Sequence, residues 1–135
     1  MASAVYPFGI AAIMKGDITG GLDGADIKAV LVDTADYTYN AGHDYLDDVT
    51  AAARVATSSA LASKTIGVVG TGVFDAADST LTTVTGDQSE AVVIYWDTGN
   101  AATSVLLSYN ELTAAVTPNG GNIVLAYSAQ GLFSL

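Results

Sequence analysis

The chain has 135 residues, of which 50% are hydrophobic and only 13% charged, with a formal net charge of −10. That length allows one domain with a sizeable core, and the apolar share excludes a disordered chain, which needs dense charge and few hydrophobic residues. Lys15, Lys28, Arg54 and Lys64 are too few to neutralise a phosphate backbone or an anionic membrane, and the lack of cysteine excludes disulfides, thiolate metal sites and cysteine nucleophiles.

Residues 4–15 are mildly apolar and end in Met14-Lys15-Gly16, a helix-stop signal, so a short helix over about 8–15 is expected with Pro7 in its first turn. The competing expectation is an extended N-terminal arm over residues 1–10, carrying Tyr6, Phe8 and Ile10 to a neighbouring subunit. A glycine-rich connector, 16–24, leads to the first clear strand, 26–33. There Ile27, Ala29 and Leu31 should share one face, and Lys28, Val30 and Val32 the other. From Thr34 to Asp48 the chain is polar and aromatic, with Tyr37, Tyr39 and Tyr45. A loop of that length usually serves a contact, and one helical turn fits at 45–49.

Residues 50–56 are ambiguous, their alanines favouring a helix of which only about two turns would fit, and 57–66 alternate weakly as a solvent-facing strand. A turn at 67–72 and a short apolar pair, Val73-Phe74, precede a β-branched strand over 80–85. The run Glu90-Ala-Val-Val-Ile-Tyr-Trp-Asp97 is the strongest element. It is a six-residue apolar run with a charge at each end, too short for an independent helix, so it reads as a strand buried on both faces. Further strands are expected at 103–109 and 122–127. Pro118-Asn-Gly-Gly121 and 128–131 supply turns, and 132–135 is placed to close the sheet. Six to eight short strands with regular turns predict a mainly β domain spanning 1–135. A β-sandwich and a jelly-roll-like barrel both fit, with short helical segments near the N-terminus.

Chemistry-bearing patterns are sparse. His43 is the sole histidine, no Gly-x-Ser-x-Gly elbow accompanies it, and one imidazole cannot build a zinc site. The acid clusters Asp44-Tyr-Leu-Asp-Asp48 and Asp75-Ala-Ala-Asp78 could each lend oxygens to calcium, although helix-capping and turn roles explain them equally. Catalytic and cofactor-binding residues are therefore expected to be none. Low charge with abundant small residues favours homo-oligomeric assembly, with Trp96 placed either to pack in the core or to anchor an interface. No apolar run approaches the ~18–20 residues of a membrane span, and no basic segment precedes an apolar one to make a secretory signal.

Several segments taken in order carry a resemblance. They are Ile27-Lys-Ala-Val-Leu-Val-Asp33 with Asp36-Tyr37, His43-Asp-Tyr-Leu-Asp-Asp48, Ala53-Arg-Val-Ala56 and Gly72-Val-Phe-Asp-Ala-Ala-Asp78. Glu90-Ala-Val-Val-Ile-Tyr95, Asp97-Thr-Gly99 and Thr117-Pro-Asn-Gly-Gly121 complete the series. From about residue 16 onward the chain resembles a family of small virion proteins of tailed bacteriophages, variously capsid decoration, head-fibre or tail-associated proteins. The resemblance implies a non-enzymatic particle component, made in the host bacterial cytoplasm and placed on the exterior of the phage head. Its implied partners are the major capsid protein lattice and further copies of itself, as a trimer. The alternative it leaves open is a tail or fibre protein whose Tyr37–Tyr45 loop meets a host receptor or glycan. The expected interface residues are Tyr6, Phe8, Ile10, Tyr37, Tyr39 and Trp96.

Overall fold

The computed structural model describes residues 4–68, 70, 72–127 and 132–134. Strand β1 (Ala4–Val5) leads into helix α1 (Pro7–Lys15), followed by a four-residue helix α2 (Gly21–Gly24) and strand β2 (Ile27–Val32). After a long loop come β3 (Arg54–Thr57), β4 (Thr65–Ile66), β5 (Val73–Asp75) and β6 (Ser79–Leu81). The long strands β7 (Ser89–Trp96) and β8 (Val105–Val116) form a hairpin, and β9 (Ile123–Leu125) and β10 (Phe133–Ser134) end the described chain.

The expected central strand forms because Ala91 to Tyr95 have no polar side chain to keep in water on either face, and each is at most 4% exposed. It is β7, central in an antiparallel sheet of order β1-β8-β7-β2-β3. Alternation divides the sheet into two cores. Ile27, Ala29 and Leu31 of β2 join Val92, Ile94 and Leu107 on one face, as the spacing predicts. Val30, Val32, Ala91, Val93, Tyr95 and Leu106 take the other.

The first face is covered by α1 through Ala12, by α2 through Leu22, and by two small sheets through Phe74, Leu81 and Leu125. Those sheets have the orders β10-β5-β4 and β6-β9. The second face is covered by the loop after β2, through Tyr37, Leu46, Val49 and Ala53, together with Tyr6. The chain is mainly β, with two helices near its start, and its principal sheet is open rather than a closed barrel. Of the segment 132–135 expected to close the sheet, Phe133 and Ser134 pair with Phe74 and Val73 instead, and Leu135 lies outside the described residues.

Helix α1 follows its signals. Pro7 opens it, where a missing N–H costs nothing, Lys15 occupies its last turn, and Gly16 ends it in the left-handed region at φ 76°. Gly9 is needed for docking, since a Cβ there would overlap the carbonyl oxygen of Leu106 in β8. The strand expected over 57–66 is mostly absent. Ser58 Oγ accepts the Ala29 N–H at 2.9 Å, where a backbone carbonyl would continue the ladder. The chain then turns away, with Ser63 at φ 51°, and beyond Thr57 at the end of β3 only Thr65–Ile66 of that range is strand. The strand expected at 80–85 stops at Leu81 for a similar reason: Thr83 sits at φ 51° and gives its N–H to Asn122 Oδ1. The ambiguous segment 50–56 resolves into a turn and then β3, while the 3-10 turn Leu46–Asp48 lies within the helical turn expected at 45–49. The turn expected at 128–131 lies outside the described residues.

Candidate functional site

The aromatic residues singled out for an interface are brought together, but largely inside the chain. Tyr6 is fully buried, and its hydroxyl lies 2.8 Å from that of Tyr37, which in turn lies 2.9 Å from Nδ1 of half-buried His43. Tyr39 donates to the Val5 carbonyl at 2.6 Å, and its ring packs on those of Tyr6 and Tyr109. The cluster clamps the N-terminal segment to the loop after β2 and fastens both to β8. Residues 4–10 are accordingly strand and helix rather than a free extended arm: Ala4 and Val5 pair with Tyr109 and Ser108, and Tyr6 N–H bonds the Leu107 carbonyl.

This cluster is chemically quiet. Burial first, and then the hydrogen bond to Tyr37, push the Tyr6 hydroxyl far above the ordinary tyrosine range. Burial likewise raises Tyr37 and Tyr109. A phenol held in its neutral form within a core supplies neither a phenolate nucleophile nor an accessible acid. Its role on this geometry is to satisfy buried hydroxyls with one another while large rings fill space.

Phe8 and Ile10 stand apart from the cluster on α1. Phe8 is 37% exposed, with its ring edge against Tyr45, and Met14 on the same helix is 78% exposed. Gly9 and Ala12 point inward, leaving Phe8, Ala11 and Met14 as an outward stripe at a spacing of three residues. Trp96 is half-buried at the end of β7, packed against the first-face core and in register with Ile27 and Val105. The adjoining Asp97 binds Lys28 at 2.7 Å. That contact, ahead of all other causes, holds the Asp97 carboxyl below its usual range.

Neither acid cluster read from the sequence converges on a common point. Asp48 Oδ2 turns back to accept the N–H groups of Asp44 and Tyr45, and Asp78 Oδ1 accepts that of Tyr127. The carboxylates that do gather are those of buried Asp33 and exposed Asp36 and Asp87, within 4.8 Å of one another. Three oxygen donors without nitrogen or sulfur would suit a hard cation. One Asp33 oxygen is already taken by the Ala35 N–H. Linear spacing could not reveal this group, because Asp87 arrives from the turn before β7.

Two grooves open between the sheets. One, of about 310 Å³, lies over Val92 and Ile94 between the second half of β8 and residues 124–127 with Leu132. The other, of about 390 Å³, is a threonine-rich trough between β3 and residues 80–85. The first exists because β8 leaves the β7 ladder: Ala91 pairs with Glu111 and Ser89 with Val116, so Leu112 to Ala115 have no register partner on β7. The sequence carries no sign of this groove, since 110–117 neither alternates nor contains a turn residue. Among the described residues no helix is long and apolar enough to cross a membrane. The chain matches no protein-family model and no curated protein.

Proposed function

We propose that this chain is a non-enzymatic structural component of a tailed-phage particle, a decoration protein that binds the head lattice and cements neighbouring capsid subunits. The reading rests on the ordered segments that resemble small virion proteins, and one structural observation supports it best. Helix α1 is firmly seated on β8 yet apolar on its outward side as well, with Met14 78% exposed and Phe8 37%. A helix apolar around its circumference asks for a second partner. Residues 7–14 of this helix contain no charged side chain, so Lys15 in its last turn is the one cation that a protein surface approaching the stripe would meet.

Attachment by such a stripe is weak per copy, and a repeating lattice makes up for it by presenting many sites at once to an oligomer. The acidic remainder of the surface would face outward and keep particles apart by like-charge repulsion. The tail or fibre alternative leans on the Tyr37–Tyr45 loop as a receptor-facing surface. Its aromatic rings are less available than that reading needs, because Tyr37 is only 5% exposed and Tyr39 is tied to Val5.

The test is Met14→Glu, which places a charge on the outward stripe at a position with room for it. Its thermal unfolding should match the wild type, while its occupancy on purified heads should fall about tenfold or more. Undiminished occupancy would remove α1 as the docking element.

A further inference from the structure

The turn Pro118-Asn-Gly-Gly121 clasps the segment after β6 to the start of β9. Gly120 N–H donates to the Val84 carbonyl at 2.7 Å, Val84 N–H donates to the Gly121 carbonyl at 2.9 Å, and Thr83 N–H donates to Asn122 Oδ1 at 3.2 Å. Asn119 and Gly120 are nevertheless exposed. Asn119 Oδ1 accepts the Gly121 N–H at 2.9 Å. Asn40 and Asn100, also exposed, hold the same local bond, to the N–H of Gly42 at 2.8 Å and of Ala102 at 2.9 Å. The three side chains thus share one turn geometry and differ in the residue that follows each: Ala41, Ala101 and Gly120.

We propose that Asn119 is a site of spontaneous deamidation, attacked by the backbone nitrogen of Gly120, and that the clasp on Val84 restrains the reaction in the folded chain. A solvent base removes the Gly120 amide proton, and the nitrogen bonds Asn119 Cγ while Nδ2 gains a proton and leaves as ammonia. Water then opens the cyclic succinimide. Opening at Cγ leaves aspartate, and opening at the backbone carbonyl carbon leaves isoaspartate, with the main chain rerouted through the side chain. Water is consumed and ammonia released along either route. Gly120 has no Cβ to obstruct the approach of its nitrogen, whereas Ala41 and Ala101 do. The Gly121 N–H stands beside Oδ1, where negative charge develops, but Asn40 and Asn100 have the same aid, so the glycine decides. Against the attack stands the Val84 carbonyl, which holds the Gly120 N–H, so the turn must open before the nitrogen can move. Isoaspartate lengthens the backbone by one carbon just before the two glycines that bond Val84, and this product should loosen the clasp as it forms. The chemistry stands independently of whether the chain decorates a capsid.

Peptide mapping by mass spectrometry of the full-length chain, incubated in mildly alkaline buffer, tests this. Asn119 should convert to aspartate and isoaspartate while Asn40 and Asn100 remain amides over the same period. The same chain held unfolded in denaturant should convert at Asn119 about tenfold faster or more, because no clasp has to open. Asn122→Ala removes the side-chain acceptor of the clasp and should speed conversion in the folded chain about two- to tenfold, with no change in denaturant. A folded chain that keeps Asn119 intact after the unfolded chain has converted fully would overturn the site. Equal conversion at Asn40 or Asn100 would overturn the role of Gly120. Equal rates in the folded and unfolded wild type would overturn the restraint by the clasp, a comparison that does not depend on how Asn122→Ala folds.

Discussion

Tyr6 shows how one side chain sets the character of a whole segment. Its ring fills the second-face core, and its hydroxyl meets that of Tyr37, so the N-terminal strand is held by both packing and a hydrogen bond. Tyr6→Phe keeps the ring and removes the bond, and should lower stability by about 0.5–1.5 kcal/mol in denaturant titration. The raised Tyr6 and Tyr37 pKa values also fix a pH dependence. A phenol whose folded pKa exceeds its unfolded value stabilises fully below the unfolded value, ~10, and loses that contribution as pH climbs above it. Alkaline unfolding should therefore coincide with tyrosinate absorbance in one cooperative step, and Tyr6→Phe should move it to higher pH. Asp97 has the opposite sign. Lys28 lowers its folded pKa, so the contribution is present above the unfolded carboxylate pKa and is lost as pH falls through that range. Lys28→Met should flatten the acid limb of the stability curve by at most ~1 kcal/mol, since the pair is partly solvated.

Elements differ in how far their own residues announce them. Helix α1 was legible at both ends, because Pro7, Lys15 and Gly16 act locally. Its seat was not, since it depends on the Leu106 carbonyl meeting Gly9. Gly9→Ala should lift the helix from β8 at a cost of about 1–3 kcal/mol, visible as faster amide exchange over residues 7–15; an unchanged melt would refute that contact. Strand β2 was legible with its faces from its alternation, and β7 as a strand buried on both sides from its apolar run. The strand expected at 57–66 failed because Ser58 replaces a ladder bond with its own hydroxyl. Tyr6, Phe8 and Ile10 read alike as one unanchored apolar stretch. Only the tertiary partners separate Tyr6, a core residue, from Phe8 on the outward stripe.

At the scale of the whole molecule, charge and shape are segregated. The ionised residues lie between Lys15 and Glu111, while the uncharged ends supply all of helix α1 but its last residue and most of the lining of the groove beside β8. Composition alone suggested subunit contacts without pointing to any face of the fold, and the groove itself depends on how β8 parts from β7. The gathering of Asp33, Asp36 and Asp87 was equally invisible, because Asp87 is distant in sequence from the other two. On this account α1 meets the capsid, so Met14→Glu should empty the lattice sites without lowering the melting temperature. The most direct measurement is a reconstruction of the purified phage particle. The account predicts density for this chain at every repeat of the head lattice, with α1 against the shell and a copy number comparable to that of the major capsid protein. A chain absent from the particle, or confined to the tail, would contradict it.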